Sequence, residues 1–160
     1  MKKTLMFTYS IIAYFIAFAS ILFWIASMGN LIPSIGIDQE PEVPVLWALL
    51  NNLMLIALFG VQHSVMARKW FKDLFAQYFP KPIERSTFVI VSGILLFNLV
   101  YNWQPIGGII WAVQRESAIY YLLYALFFMG WVILFISSFL INHFDLIGLR
   151  QTFLELQGKP

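Results

Sequence analysis

The sequence predicts an all-α polytopic membrane protein with four transmembrane helices and one interfacial helix, on three observations. Hydrophobic residues make up 61% of the 160 positions and charged residues 11%, far from the composition of an ordinary soluble domain. Four stretches, 4–37, 43–67, 86–114 and 117–144, contain no Asp, Glu, Lys or Arg. Each holds the roughly 20 apolar residues that cross a bilayer. The short charged segment 68–85 carries an amphipathic pattern instead.

The first span is placed near 5–27. Its basic start, Lys2 and Lys3, followed by an apolar core resembles a secretory signal. The uncharged run is too long for a signal core and lacks a small-x-small cleavage site, so it reads as a retained span. The segment that follows, "MGNLIPSIGIDQEPEVP", is rich in Gly and Pro and is expected to be extended. The second span is placed near 44–67. In "RKWFKDLFAQYF" the residues Trp70, Phe71, Leu74, Phe75 and Tyr78 recur at helical spacing, opposed by Lys69, Lys72, Asp73 and Gln77. That pattern predicts an interfacial helix near 68–79, ended by Pro80 and Pro82.

The third span, near 86–103, is interrupted by Asn98, Asn102 and Pro105. The following "IGGIIWAV" either continues as helix or dips back into the interface. The fourth span is placed near 118–143, and 145–160 reads as a short surface helix ended by Gly158. The spans form one membrane domain over 1–160.

Nine of the ten Lys and Arg residues, namely Lys2, Lys3, Arg68, Lys69, Lys72, Lys81, Arg85, Arg150 and Lys159, fall on one side of this topology, and Arg115 on the other. The bias places both termini in the cytoplasm. The net charge of +2 reflects that topology and gives no support for nucleic-acid binding. With no cysteine, neither disulfides nor thiolate metal sites are available.

Two histidines, His63 and His143, lie at the cytoplasmic ends of spans. Asn52, Ile56, Phe59 and His63 share one helical face, with Asn52 and His63 about 16 Å apart. Ser138, Asn142 and Asp145 follow the same spacing in span four. Interhelical hydrogen bonds of about 1 kcal/mol each would explain such stripes. Alternatively the stripes converge beside Arg68, Glu84, Arg85 and Arg150, forming a pocket that suits a charged ligand at the rim of an apolar cavity. Two imidazoles at similar depth also permit bis-histidine haem ligation, as in a small b-type cytochrome.

The combination QHS-x-MAR, P-x-ERS, W-x-PI and NHFDL-x-GLRQ, spread in order over 50–160, resembles the bacterial methanethiol S-methyltransferases of the NnrU and isoprenylcysteine carboxyl methyltransferase-like group. The resemblance implies a multi-span enzyme of the bacterial inner membrane that moves a methyl group from S-adenosylmethionine to methanethiol, giving dimethyl sulfide. It covers the N-terminal half of that family. The resemblance does not extend to the second half, with its Arg-His-Pro-x-Tyr type cofactor motif, so the chain reads as a split or truncated enzyme completed by another polypeptide, or as a half-length relative; the other reading is a non-catalytic accessory subunit of a larger membrane complex. Carried over onto this chain, the motifs mark Gln62, His63, Ser64, Arg68, Glu84, Arg85, Asn142, His143, Asp145 and Arg150. The roles inferred from that carry-over are a proton acceptor at His63 or His143, Asp145 orienting an imidazole, and Arg85 or Arg150 meeting the cofactor carboxylate.

Overall fold

In the computed structural model, residues 2–159 are described, and they form helices joined by loops with no strand. The helices are α1 (Lys3–Met28), α2 (Val45–Ala67), α3 (Lys69–Tyr78), α4 (Glu84–Tyr101), α5 (Ala118–Ile141), α6 (His143–Leu146) and α7 (Leu149–Leu156), with single 3-10 turns at Pro33–Ile35 and Lys81–Ile83. Among the described residues, α1, α2, α4 with its leading turn, and α5 are long and apolar enough to cross a membrane. They overlie the four stretches read from the sequence, with ends that differ by up to five residues.

Small side chains decide which spans meet. Ser10, Ala13 and Ala17 on α1 face Ser86 and Gly93 on α4, and Ser10, Ala13 and Ser86 are wholly buried. A methyl group added at Gly93 would sit 2.8 Å from the Ala17 Cα, so the two backbones are in contact. Close approach of this kind supplies the dispersion that holds helices together in lipid, where burial from water does not. Hydrogen bonds reinforce it: Ser86 Oγ donates to Ser10 Oγ at 2.7 Å, and Tyr9 OH donates to Thr87 Oγ1 at 3.1 Å.

The outer helices attach differently. α2 packs on the free side of α4. α5 reaches α1 through large rings, with Trp24 against Trp131 at 5.4 Å and Phe18 against Phe135 at 6.4 Å. At the far end, Tyr124 OH donates to the Gly29 carbonyl at 2.7 Å. The spans are thus arranged in the order α2, α4, α1, α5, with no buried residue in α5.

Two sequence expectations change. Ser138, Asn142 and Asp145 do not form one helical stripe, because Asn142 takes a left-handed conformation (φ 109°) that stops α5 and starts α6. The C-terminal segment is not a single surface helix either. Gly148 (φ 88°) separates α6 from α7, and α7 folds back on α1 with Thr152 fully buried, Phe153 against Phe7 at 5.7 Å, and Glu155 paired with Lys3 at 3.3 Å. Gly148 meets two demands at once, since an added methyl group would also lie 2.7 Å from the Ser86 backbone nitrogen.

Candidate active site

The polar residues of the sequence motifs gather at the end of the bundle that carries both termini. There the chain leaves α2, runs along α3 and re-enters the bundle at α4. Between these helices and α6 lies a cavity of about 230 Å³, walled by Met66, Phe71, Phe75, Phe88 and Leu146 and rimmed by Lys72, Glu84 and Arg85. A groove of about 410 Å³ continues from the same rim toward Lys81, Gln151, Glu155 and Lys159. Lys72 and Glu84 pair at 3.4 Å across the boundary, tying the interfacial helix to α4.

Arg85 is held from behind. Its Nη1 donates to the Asp145 carbonyl oxygen at 3.1 Å, and Gln151 Nε2 donates to the same oxygen at 3.1 Å and to Asp145 Oδ1 at 3.0 Å. This turns the Asp145 carboxylate toward Gln151 rather than toward an imidazole. The remaining amide oxygen, Gln151 Oε1, is buried with no donor among the described residues, although Gln151 lines the groove. A buried acceptor without a donor is costly, so the site calls for a donor there.

The two histidines sit in separate environments. His143 is buried and stacks on Phe139 at 4.4 Å. Ser138 spends its single proton on the Phe135 carbonyl at 2.6 Å, so the 2.8 Å contact to His143 Nδ1 requires that nitrogen to be the donor. Nε2 is then free to accept from Tyr14 OH at 3.3 Å. A neutral imidazole satisfies both bonds. Burial pushes the His143 pKa below its ordinary value.

A lowered histidine pKa fixes the sign of a pH effect. Below about pH 6.5 the unfolded chain binds the proton that the folded chain resists, so stability is full above that pH and falls as pH drops toward the lowered value. Thermal melts in detergent should show this fall, and His143→Gln should flatten it. Equal slopes for the two proteins would refute the assignment.

His63 is exposed and loosely held. Its ring lies beside Phe59 at 5.5 Å and Phe88 at 4.8 Å, and among the described residues its one polar contact is Nδ1 to Ser92 Oγ at 3.5 Å. Because Phe88 also walls the cavity, His63 stands next to that space while His143 faces α1. The imidazoles do not converge, and haem ligation by both would require that they share one metal. Among the described residues, no three His, Asp or Glu side chains are grouped to hold a metal ion.

The structure therefore joins Arg85 with Asp145, sets Glu84 beside Arg85 on the cavity rim where it pairs with Lys72, and brings Gln62 and His63 together at Ser92. Gln62 Nε2 contacts Met66 Sδ at 2.9 Å and Ser92 Oγ at 3.4 Å. Asn142 accepts from the Asp145 backbone N–H and so serves α6. Ser64, Arg68 and Arg150 are exposed away from the cavity walls. The reading from sequence missed Lys72, Gln151 and Tyr14 as site neighbours. Gln151 stands in the quoted GLRQ motif, but its meeting with Asp145 depends on the turn at Gly148.

Four helices long and apolar enough to cross a membrane define an all-α, multi-pass membrane protein, and the charged cavity lies at the end of the bundle that carries both termini. The chain is similar to the methanethiol S-methyltransferase of Crocosphaera subtropica, with 38% identity over 99% of this chain and 62% of the relative. Methanethiol S-methyltransferase 1 of Bradyrhizobium diazoefficiens is 41% identical over 98% of this chain and 55% of the relative. The methanethiol S-methyltransferase of Mycobacterium tuberculosis is 38% identical over 100% of this chain and 65% of the relative. The chain is a homologue of these methanethiol S-methyltransferases and spans between 55% and 65% of their length. No protein-family profile matches it, and no solved structure matches it.

Proposed function

We propose that this chain forms the thiol-binding part of a membrane S-methyltransferase that uses S-adenosylmethionine to methylate methanethiol. The observation that carries the reading is the cavity itself, apolar inside and charged at its rim, built from the segments that match the methyltransferases. Its volume of about 230 Å³ suits a small thiol. It lies below the roughly 300–1,000 Å³ of most ligand pockets, so a nucleoside must extend into the adjoining groove.

The groups in that groove fit the amino-acid end of such a cofactor. Arg85 offers guanidinium donors to a carboxylate, and the orphaned Gln151 Oε1 offers an acceptor to an ammonium. S-adenosylmethionine, when bound, supplies an electrophilic methyl group on a sulfonium. His63, beside the cavity and with Nε2 uncommitted, takes the proton from the thiol, leaving a thiolate sulfur to accept the methyl group. Phe71, Phe75 and Phe88 keep water from the thiolate.

The remaining wall of the site comes from sequence equivalent to the unmatched part of the relatives, on this polypeptide or another. The charge bias supports an inner-membrane protein with both termini, and hence the site, in the cytoplasm.

The test is methyl transfer in proteoliposomes, with the chain alone and together with that additional part, read as dimethyl sulfide in the headspace. His63→Ala should lower turnover by about 100-fold while the protein still folds. Unchanged turnover would remove His63 as the base. Absence of S-adenosylmethionine binding by calorimetry, with and without the additional part, would overturn the assignment.

A further inference from the structure

The strongest unexplained feature lies at the opposite end of the bundle, in the loop between α4 and α5. Three consecutive large apolar residues there are almost fully exposed: Ile109 at 85%, Ile110 at 98% and Trp111 at 71%. Gly107 and Gly108, both near φ 80°, turn the chain just before them. An added methyl group at Gly107 would lie 2.5 Å from Pro41 Cγ, so the turn is packed against the other loop on that side.

Helix length places this loop in depth. α4 has 18 residues and rises about 27 Å, whereas α2 and α5 have 23 and 24 residues and rise about 34 and 36 Å. The hydrocarbon core is about 30 Å thick. α4 alone thus falls just short of that thickness, and with its leading turn, Lys81–Tyr101, it just reaches it, so the irregular chain that follows begins at the far edge of the apolar layer.

The hydrogen bonds agree with that depth. Asn52 lies seven positions inside the start of α2, about 10 Å along the helix. Its side chain clamps the broken backbone, with Nδ2 donating to the Gln104 carbonyl at 2.7 Å and Oδ1 accepting from the Gln104 N–H at 2.9 Å. The neighbouring Asn51 Nδ2 donates to the Asn102 carbonyl at 2.8 Å. Irregular backbone survives at membrane depth only where its polar groups find protein partners, and two asparagines provide them. This is a structural use of Asn52, not the shared site with His63 that the helical spacing allows.

We propose that residues 102–112 form a re-entrant segment whose apolar tip, Ile109 to Trp111, contacts the acyl chains of the leaflet opposite the termini. The occupant is lipid because the segment joins two helices long and apolar enough to span a membrane, starts at the edge of the apolar layer, and exposes three consecutive large apolar side chains there. Trp111 sits toward the polar boundary, followed by Gln114 and Arg115, which is the order an interfacial anchor requires. This inference is independent of the methyltransferase reading.

The chain has no cysteine, which makes the test direct. Ile110→Cys is labelled with bimane in nanodiscs, beside Glu40→Cys from the exposed acidic loop as an aqueous reference. The Ile110 probe should be blue-shifted, quenched several-fold by lipids with brominated acyl chains, and at least tenfold slower than Glu40→Cys to react with a water-soluble maleimide. Equal reaction rates at the two positions would overturn the proposal. Protection without quenching by brominated lipid, or disulfide-linked dimers through Ile110→Cys, would overturn it in favour of a protein partner. Asn52→Leu added to Ile110→Cys should raise maleimide reactivity as the clamp opens, with Asn51→Leu as the milder variant should the first not fold. No change in either variant would refute the role given to the asparagines.

Discussion

Gly93→Leu is expected to abolish recovery of folded, monodisperse protein. At this position α4 touches the α1 backbone, and even a single methyl group would lie 2.8 Å from Ala17 Cα and 3.2 Å from Ala17 Cβ. The obstacle is main chain, so no rotamer change relieves it. Moving α4 outward breaks the 2.7 Å bond between Ser86 and Ser10 and exposes two buried hydroxyls. Overpacking by one or two methylenes costs about 1–3 kcal/mol, and an entire leucine side chain exceeds that range. Size-exclusion profiles and thermal melts in detergent provide the readout. Gly130→Leu on α5 is the control, because nothing lies within 4 Å of an added methyl group there. A native profile and unchanged melt for Gly93→Leu would refute the α1–α4 contact, and equal damage from Gly130→Leu would show that glycine loss, not crowding, is responsible.

Why the spans were readable while their neighbours were not follows from the same chemistry. Crossing lipid demands about 20 apolar residues, and that demand is local, so the four spans could be placed directly from uncharged runs. A helix that is apolar all round carries no stripe pointing to its partner. The partner is chosen instead by small residues such as Ser10, Ala13, Ala17 and Gly93, whose role depends on which two helices meet. Polar spacing was a weaker guide. Asn52 and His63 do lie on one helix, but Asn52 supports the broken chain at Gln104 while His63 sits against Phe88 on α4. For Ser138, Asn142 and Asp145 the assumption of a continuous helix fails at one residue, Asn142, whose left-handed backbone redirects everything after it. Of the motif residues named from the sequence, Arg85 reaches the Asp145 carbonyl whereas Glu84 pairs with Lys72, and the link through Gln151 exists only because Gly148 turns α7 back.

Arg85→Leu is expected to separate catalysis from folding. The Asp145 carbonyl that accepts from Arg85 also accepts from Gln151 at 3.1 Å, so removing the guanidinium does not leave that part-buried oxygen without a donor. The fold should therefore survive with a modest change in melting temperature. Binding should not. On the methyltransferase reading, Arg85 meets the cofactor carboxylate at the boundary between cavity and groove, a charge-assisted contact worth about 3 kcal/mol, or roughly a 100-fold loss in kcat/KM for S-adenosylmethionine. Arg85→Lys should restore little, because an ammonium cannot hold the Asp145 carbonyl and present a planar pair of donors to a carboxylate at once. Gln151→Leu makes the complementary case: it removes both the second donor to Asp145 and the acceptor offered to the ammonium, so it should lower stability and activity together. If Arg85→Leu loses activity only in proportion to lost folded protein, Arg85 is a structural strut. If it retains wild-type kcat/KM while folded, the cofactor carboxylate binds elsewhere and the groove is not its site.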